Sequence, residues 1–75
     1  MLTKKAIRYR KLSSSEIQEI LRFLEVLGDV ILSKTDNYTT FYVMTKFDDK
    51  DLYLYLSPNI TSVNKEFYIN NKQFK

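Results

Sequence analysis

The sequence has no cysteine, no histidine and no tryptophan, and it has one glycine and one proline. Without cysteine there is no disulfide, no thiolate nucleophile and no sulfur-ligated metal. Without histidine the commonest general base and the usual neutral-pH switch are gone. A single glycine leaves no phosphate-cradling loop, and no nucleophile elbow is present. No flexible linker is present either. No apolar run approaches the roughly 18 residues of a membrane span. The start Met1-Leu2-Thr3-Lys4-Lys5 is basic, but no signal-peptide apolar segment follows it. These absences point away from an enzyme, from a metal or other cofactor, and from a membrane. No small-molecule substrate is expected, and a cysteine-free chain reads by default as cytoplasmic.

What remains is 75 residues, enough for one domain spanning 1–75. At 44% hydrophobic and 15% aromatic, the chain suits a packed globule rather than a disordered segment. A domain this short buries only about 60% of the surface its unfolded form exposes. Its stability must come from packing, within the chain alone or extended by a partner or a second copy. The net charge of +3 is unevenly spread. Lys4, Lys5, Arg8, Arg10 and Lys11 all precede the first acidic residue, Glu16. The chain is thus a near-neutral body with a basic N-terminal segment.

Residues 4–12 alternate loosely as a strand does, with Ile7 and Tyr9 on one face and Ala6, Arg8, Arg10 and Leu12 on the other. A free basic arm is the competing reading. Ser13-Ser14-Ser15-Glu16 has the form of a capping box, and Leu12 is placed to staple onto Ile17. Ile17, Ile20, Leu21, Leu24 and Leu27 follow at helical spacing, and Gly28 is expected to end the helix in the left-handed conformation. Everything after it reads as β. Val30-Ile31-Leu32 is a short strand, followed by a turn at Thr35-Asp36-Asn37. Residues 38–47 form a long strand with Phe41, Val43 and Phe47 opposite Tyr38, Tyr42 and Met44. Asp48-Asp49-Lys50 reads as a turn, and the three carboxylates of Asp48-Asp49-Lys50-Asp51 do not read as a cation site, because EF-hand spacing, glycine and terminal glutamate are missing. Residues 51–57 alternate Leu52, Leu54 and Leu56 with Tyr53 and Tyr55, and Pro58 stops that strand. A polar loop covers 58–65, and Phe67 and Ile69 alternate with Tyr68 in a last strand. The expected fold is α+β, one amphipathic helix on a mostly antiparallel sheet of four or five strands, in the order β-α-β-β-β-β.

One helix covers one face of such a sheet. The other face then carries Tyr42, Met44, Tyr53, Tyr55 and Tyr68, an amphipathic surface of the kind enriched at protein interfaces. The leading expectation is a small non-enzymatic protein-binding module acting by occlusion. It would resemble in size and composition the inhibitors and accessory factors of phages, viruses and mobile elements. Its partner would be another protein or a second copy of the chain, and the basic strand would lie at the rim of the surface. The alternative is nucleic-acid binding, with Lys4, Lys5, Arg8, Arg10 and Lys11 meeting phosphates and tyrosines stacking on bases. Against it, the expected element order differs from that of the two-helix RNA-recognition fold, and no glycine–aromatic signature marks a central strand.

Overall fold

A computed structural model of the chain describes residues 2–59, 67–70 and 72–74. It is α+β, as expected, but it has two helices. The elements are β1 (Thr3–Arg10), α1 (Ser14–Glu25), β2 (Val30–Lys34), β3 (Tyr38–Thr45), α2 (Asp49–Asn59), β4 (Phe67–Ile69) and β5 (Lys72–Phe74). The strands form one sheet of order β2-β3-β1-β4-β5, and every pairing is antiparallel. The first six elements therefore have the order and strand arrangement of the ferredoxin-like split β-α-β topology. Among the described residues no helix is long and apolar enough to cross a membrane.

The basic segment is a strand, and it lies at the centre of the sheet. Its register sets Ile7 opposite Phe41 on one side and opposite Ile69 on the other. The start of α1 follows the expected chemistry. The Ser13 hydroxyl accepts from the Glu16 N–H, and the Glu16 carboxylate accepts from the Ser13 N–H at 2.8 Å. Leu12 and Ile17, on either side of the cap, are both buried. Gly28 plays a different part from the one its type suggests. It has no positive φ, and the C-cap falls at Val26. A Cβ at Gly28 would instead overlap the Met44 carbonyl oxygen, so the residue is required by the close passage of the chain over β3.

The stretch read as a strand over 51–57 is helical. Asp48 is not a turn between strands but the cap of α2. Its carboxylate accepts from the Asp51 N–H at 2.8 Å, and its carbonyl accepts from the Leu52 N–H at 3.0 Å. Asp49 and Asp51 then lie in the first turn, where negative charge is favoured. Leu52 and Leu56, four residues apart, are buried, whereas Leu54 is 55% exposed. The helix backbone runs through Pro58 to Asn59, so this proline does not end a strand. Most of the loop read over 58–65 lies outside the described residues. The polar tail supplies a further strand, β5, which pairs with β4. Asn70, at φ 50, opens the short connection between them, and asparagine tolerates that left-handed conformation. The element order is thus β-α-β-β-α-β-β in place of β-α-β-β-β-β.

Both helices lie on one face of the sheet. Ile17, Ile20 and Leu24 of α1 and Leu52 and Leu56 of α2 share a core with Ile7, Tyr9, Phe41, Val43, Phe67 and Ile69. Tyr9 is the largest of these buried side chains. Its ring meets Phe41 edge-on at 6.2 Å and stacks on Phe67 at 5.1 Å, and Tyr53 stacks on Phe67 in turn.

Two predictions follow from this core. The strand and helix readings of 51–57 differ at Leu54. In urea unfolding, Leu54→Ala should shift stability by no more than about 0.5 kcal/mol, while Leu56→Ala should cost about 2–5 kcal/mol. Equal, large losses would restore the strand. Burial also holds the Tyr9 phenol above its ordinary value of 10.0. The neutral form is favoured in the folded state, so this contribution is complete below about pH 10 and falls away as pH rises beyond it. Tyr9→Phe should therefore flatten the loss of stability above pH 10, measured as midpoints across an alkaline series.

Candidate functional site

The face of the sheet turned away from the helices is built by the alternate positions of four strands. β1 contributes Lys4, Ala6, Arg8 and Arg10, and β3 contributes Tyr38, Thr40, Tyr42 and Met44. The pairs across that face are Lys4 with Met44, Ala6 with Tyr42, Arg8 with Thr40 and Arg10 with Tyr38. β2 adds Ile31 beside Tyr42 and Ser33 beside Thr40, and β4 adds Tyr68 directly opposite Arg8. Lys4, Arg8 and Arg10 are exposed, and the three tyrosines are half-buried. Ile31 and Met44 complete the surface, at 65% and 40% exposure.

The cations and rings on this face are in contact. The Lys4 ammonium lies 5.0 Å from the centre of the Tyr42 ring. The Arg8 and Arg10 guanidinium groups lie 5.4 Å and 6.0 Å from the Tyr38 ring. Such contacts are worth about 0.5–1 kcal/mol at exposed sites. They also hold three mobile side chains against the sheet.

The charge on the two layers differs in sign. The strands carry Lys4, Lys5, Arg8, Arg10, Lys34 and Lys72 and no Asp or Glu. The helices carry Glu16, Glu19, Glu25, Asp49 and Asp51 against Arg22 and Lys50. Among the described residues, then, no strand sets a carboxylate beside Lys4, Arg8 or Arg10.

The structure rearranges both residue sets expected from the sequence. Of the tyrosine set, Tyr42, Met44 and Tyr68 share the open face, but Tyr53 and Tyr55 do not, because their segment is a helix on the other side of the sheet. Tyr53 stacks on core Phe67. The Tyr55 ring meets Phe23 and Phe47 edge-on, and its hydroxyl donates to the Phe23 carbonyl at 3.1 Å. That carbonyl lies in the last turn of α1, where helix acceptors lack intrahelical partners. Tyr55 therefore ties the two helices together. Of the basic set, Lys4, Arg8 and Arg10 converge on the open face at its centre, not at its rim. Lys5 has the opposite parity and pairs with Asp49 at 3.0 Å. Asn70 donates to the same Asp49 oxygen at 2.9 Å, and its own side-chain oxygen accepts from the Ala6 N–H. Lys5 thus belongs to a link between β1, α2 and the end of β4. Lys11 lies past the strand at φ 53, with its backbone N–H bonded to the Asn37 carbonyl.

Tyr38 and Ile31 join the surface although neither was in the expected sets. The signal for Tyr38 was present in the sequence, since it shares parity with Tyr42 and Met44. Ile31 needed the β2–β3 register. Among the described residues, no group of acidic side chains is arranged to hold a metal ion. No family model, no curated protein and no solved structure matches the chain.

The tie between the helices has a measurable consequence. Tyr55→Phe keeps the ring and removes the bond to the Phe23 carbonyl. It should cost about 1 kcal/mol in urea unfolding, and it should leave any ligand affinity of the open face unchanged.

Proposed function

We propose that the chain is a non-enzymatic nucleic-acid-binding domain that uses the open face of its sheet. The observation carrying this reading is the placement of Lys4, Arg8 and Arg10 among Tyr38, Tyr42 and Tyr68 on one face, with no carboxylate from any described strand. Phosphate neutralisation supplies most nonspecific affinity for nucleic acid, and exposed aromatic rings supply stacking. This face offers both within one surface. The second helix removes the objection drawn from element order, while the missing glycine–aromatic signature separates this face from that of the RNA-recognition fold.

A protein or second copy as occupant of the same face is the competing reading. It draws support from exposed Ile31 and Met44, but it loses Tyr53 and Tyr55, which were to anchor it. Lys4 also weighs against it, since lysine is depleted at protein interfaces, whereas Arg8, Arg10 and the tyrosines suit either occupant.

The test is a fluorescence-anisotropy titration with a labelled oligonucleotide across a salt series. Single-stranded ligands give a slope of log K on log salt of about −0.7 for each phosphate neutralised. Three cations therefore predict a slope near −2 for the native chain. Arg8→Ala should reduce the slope by about 0.7, and Lys5→Ala should leave it unchanged. Absence of binding at low salt would overturn the reading. A slope that falls as much with Lys5→Ala as with Arg8→Ala would move the contact away from the open face.

A further inference from the structure

The tyrosines of the open face are not equivalent. The Tyr38 ring is flanked by the guanidinium groups of Arg8 and Arg10, and the Tyr42 ring lies beside the Lys4 ammonium. Tyr68 stands across from Arg8 on the other neighbouring strand. Among the described residues no cation lies over its ring. Tyr68 is half-buried, so part of the residue is open to a ligand.

The shape of the face restricts the ligand further. The four strands of the face, about 4.8 Å apart, make a surface roughly 14 Å across. The major groove of DNA is about 12 Å wide and admits a helix or a two-stranded ribbon, not a sheet face. Against a duplex, the cations would reach only phosphates, and the tyrosines would find no base to stack on. An unpaired strand lays its bases open to the rings while its phosphates meet the cations.

On the nucleic-acid reading above, we infer that the ligand is an unpaired strand and that the tyrosines divide the work of holding it. Tyr68 is the stacking platform for a base. Tyr38 and Tyr42 are positioning residues, which hold Arg8, Arg10 and Lys4 toward the phosphates. Arg8 joins the two parts, since it lies against Tyr38 and directly across from Tyr68. A phosphate bound at Arg8 therefore places the attached nucleotide within reach of the Tyr68 ring.

Three labelled probes test this by anisotropy: a 12-nucleotide single strand, an abasic strand of the same length, and a hairpin duplex. The native chain should bind the base-bearing strand roughly ten- to hundredfold tighter than the abasic one, the gain expected for one stacked base. It should bind the duplex no tighter than the abasic strand. Tyr68→Ala should bring the two single strands to near-equal affinity and leave the salt slope unchanged. Tyr68→Phe should keep the native ratio, which shows that the ring is the active part and that the fold tolerates change there. Tyr38→Ala should keep the ratio, weaken both strands alike and flatten the salt slope. The inference is overturned if Tyr68→Ala leaves the ratio unchanged, if Tyr38→Ala removes it, or if the duplex binds as tightly as the base-bearing strand. Failure of the underlying reading looks different, with no salt-sensitive binding of the native chain to any probe.

Discussion

The fold depends on one strand whose two faces do opposite work. β1 turns Ile7 and Tyr9 into the core and Lys4, Arg8 and Arg10 out of it. It pairs with β3 along its whole length and with β4 on the other side, so both halves of the sheet are aligned through it. A one-residue slip would exchange the faces, burying two guanidinium groups and exposing the Tyr9 ring. Burying unpaired charge costs far more than the few kilocalories that separate folded from unfolded small domains. The alternation in β1 therefore fixes the register of the sheet, and the same constraint gathers the cations on one face.

Gathering like charges has a cost, which is small here. Two unit charges about 7 Å apart in water repel by roughly 0.6 kcal/mol. The neighbouring strands answer with uncharged partners. Tyr38 and Tyr42 present ring faces to the cations, and Thr40 lies between them opposite Arg8. Each ring contact is of the same order as one repulsion. The cationic face is thus compatible with a marginal core and needs no acidic neighbours to neutralise it, which leaves its charge available to a ligand.

Much of this was legible in the sequence, and the failure has a local cause. β1, α1, β3 and β4 each carry a pattern of a single period, and the structure follows it. The stretch Leu52-Tyr53-Leu54-Tyr55-Leu56 carries two. Its alternation fits a half-buried strand, and Leu52 with Leu56 fits one face of a helix. Tyrosine favours strands and leucine favours helices, so propensity does not decide. The cap decides, because the Asp48 carboxylate accepts from the Asp51 N–H as the Ser13 hydroxyl does from the Glu16 N–H. Reading Asp48-Asp49-Lys50 as a turn hid that parallel. The strand reading places Tyr53 and Tyr55 on the open face, whereas they lie in the helical layer. Gly28 shows the reverse case. Its position after α1 was legible, but its reason, the nearby Met44 carbonyl, is a long-range contact that local rules do not contain.

The net charge of +3 understates what a polyanion meets at this surface. The strands bear basic residues and no carboxylate, the helices carry a net negative charge, and packed layers lie about 10 Å apart. That distance is close to the Debye length at physiological ionic strength, about 8 Å. At such salt the helical carboxylates scarcely weaken the field of the open face. At very low salt the two layers act together and partly cancel at long range. On the proposed reading, a polyanion near the surface would be repelled by the helices and attracted to the sheet, so the charge separation would orient its approach. On the proposed reading, Lys4, Arg8 and Arg10 and their ring contacts would set the affinity of the face. Charge changes on α1 or α2 act mainly on the rate of encounter.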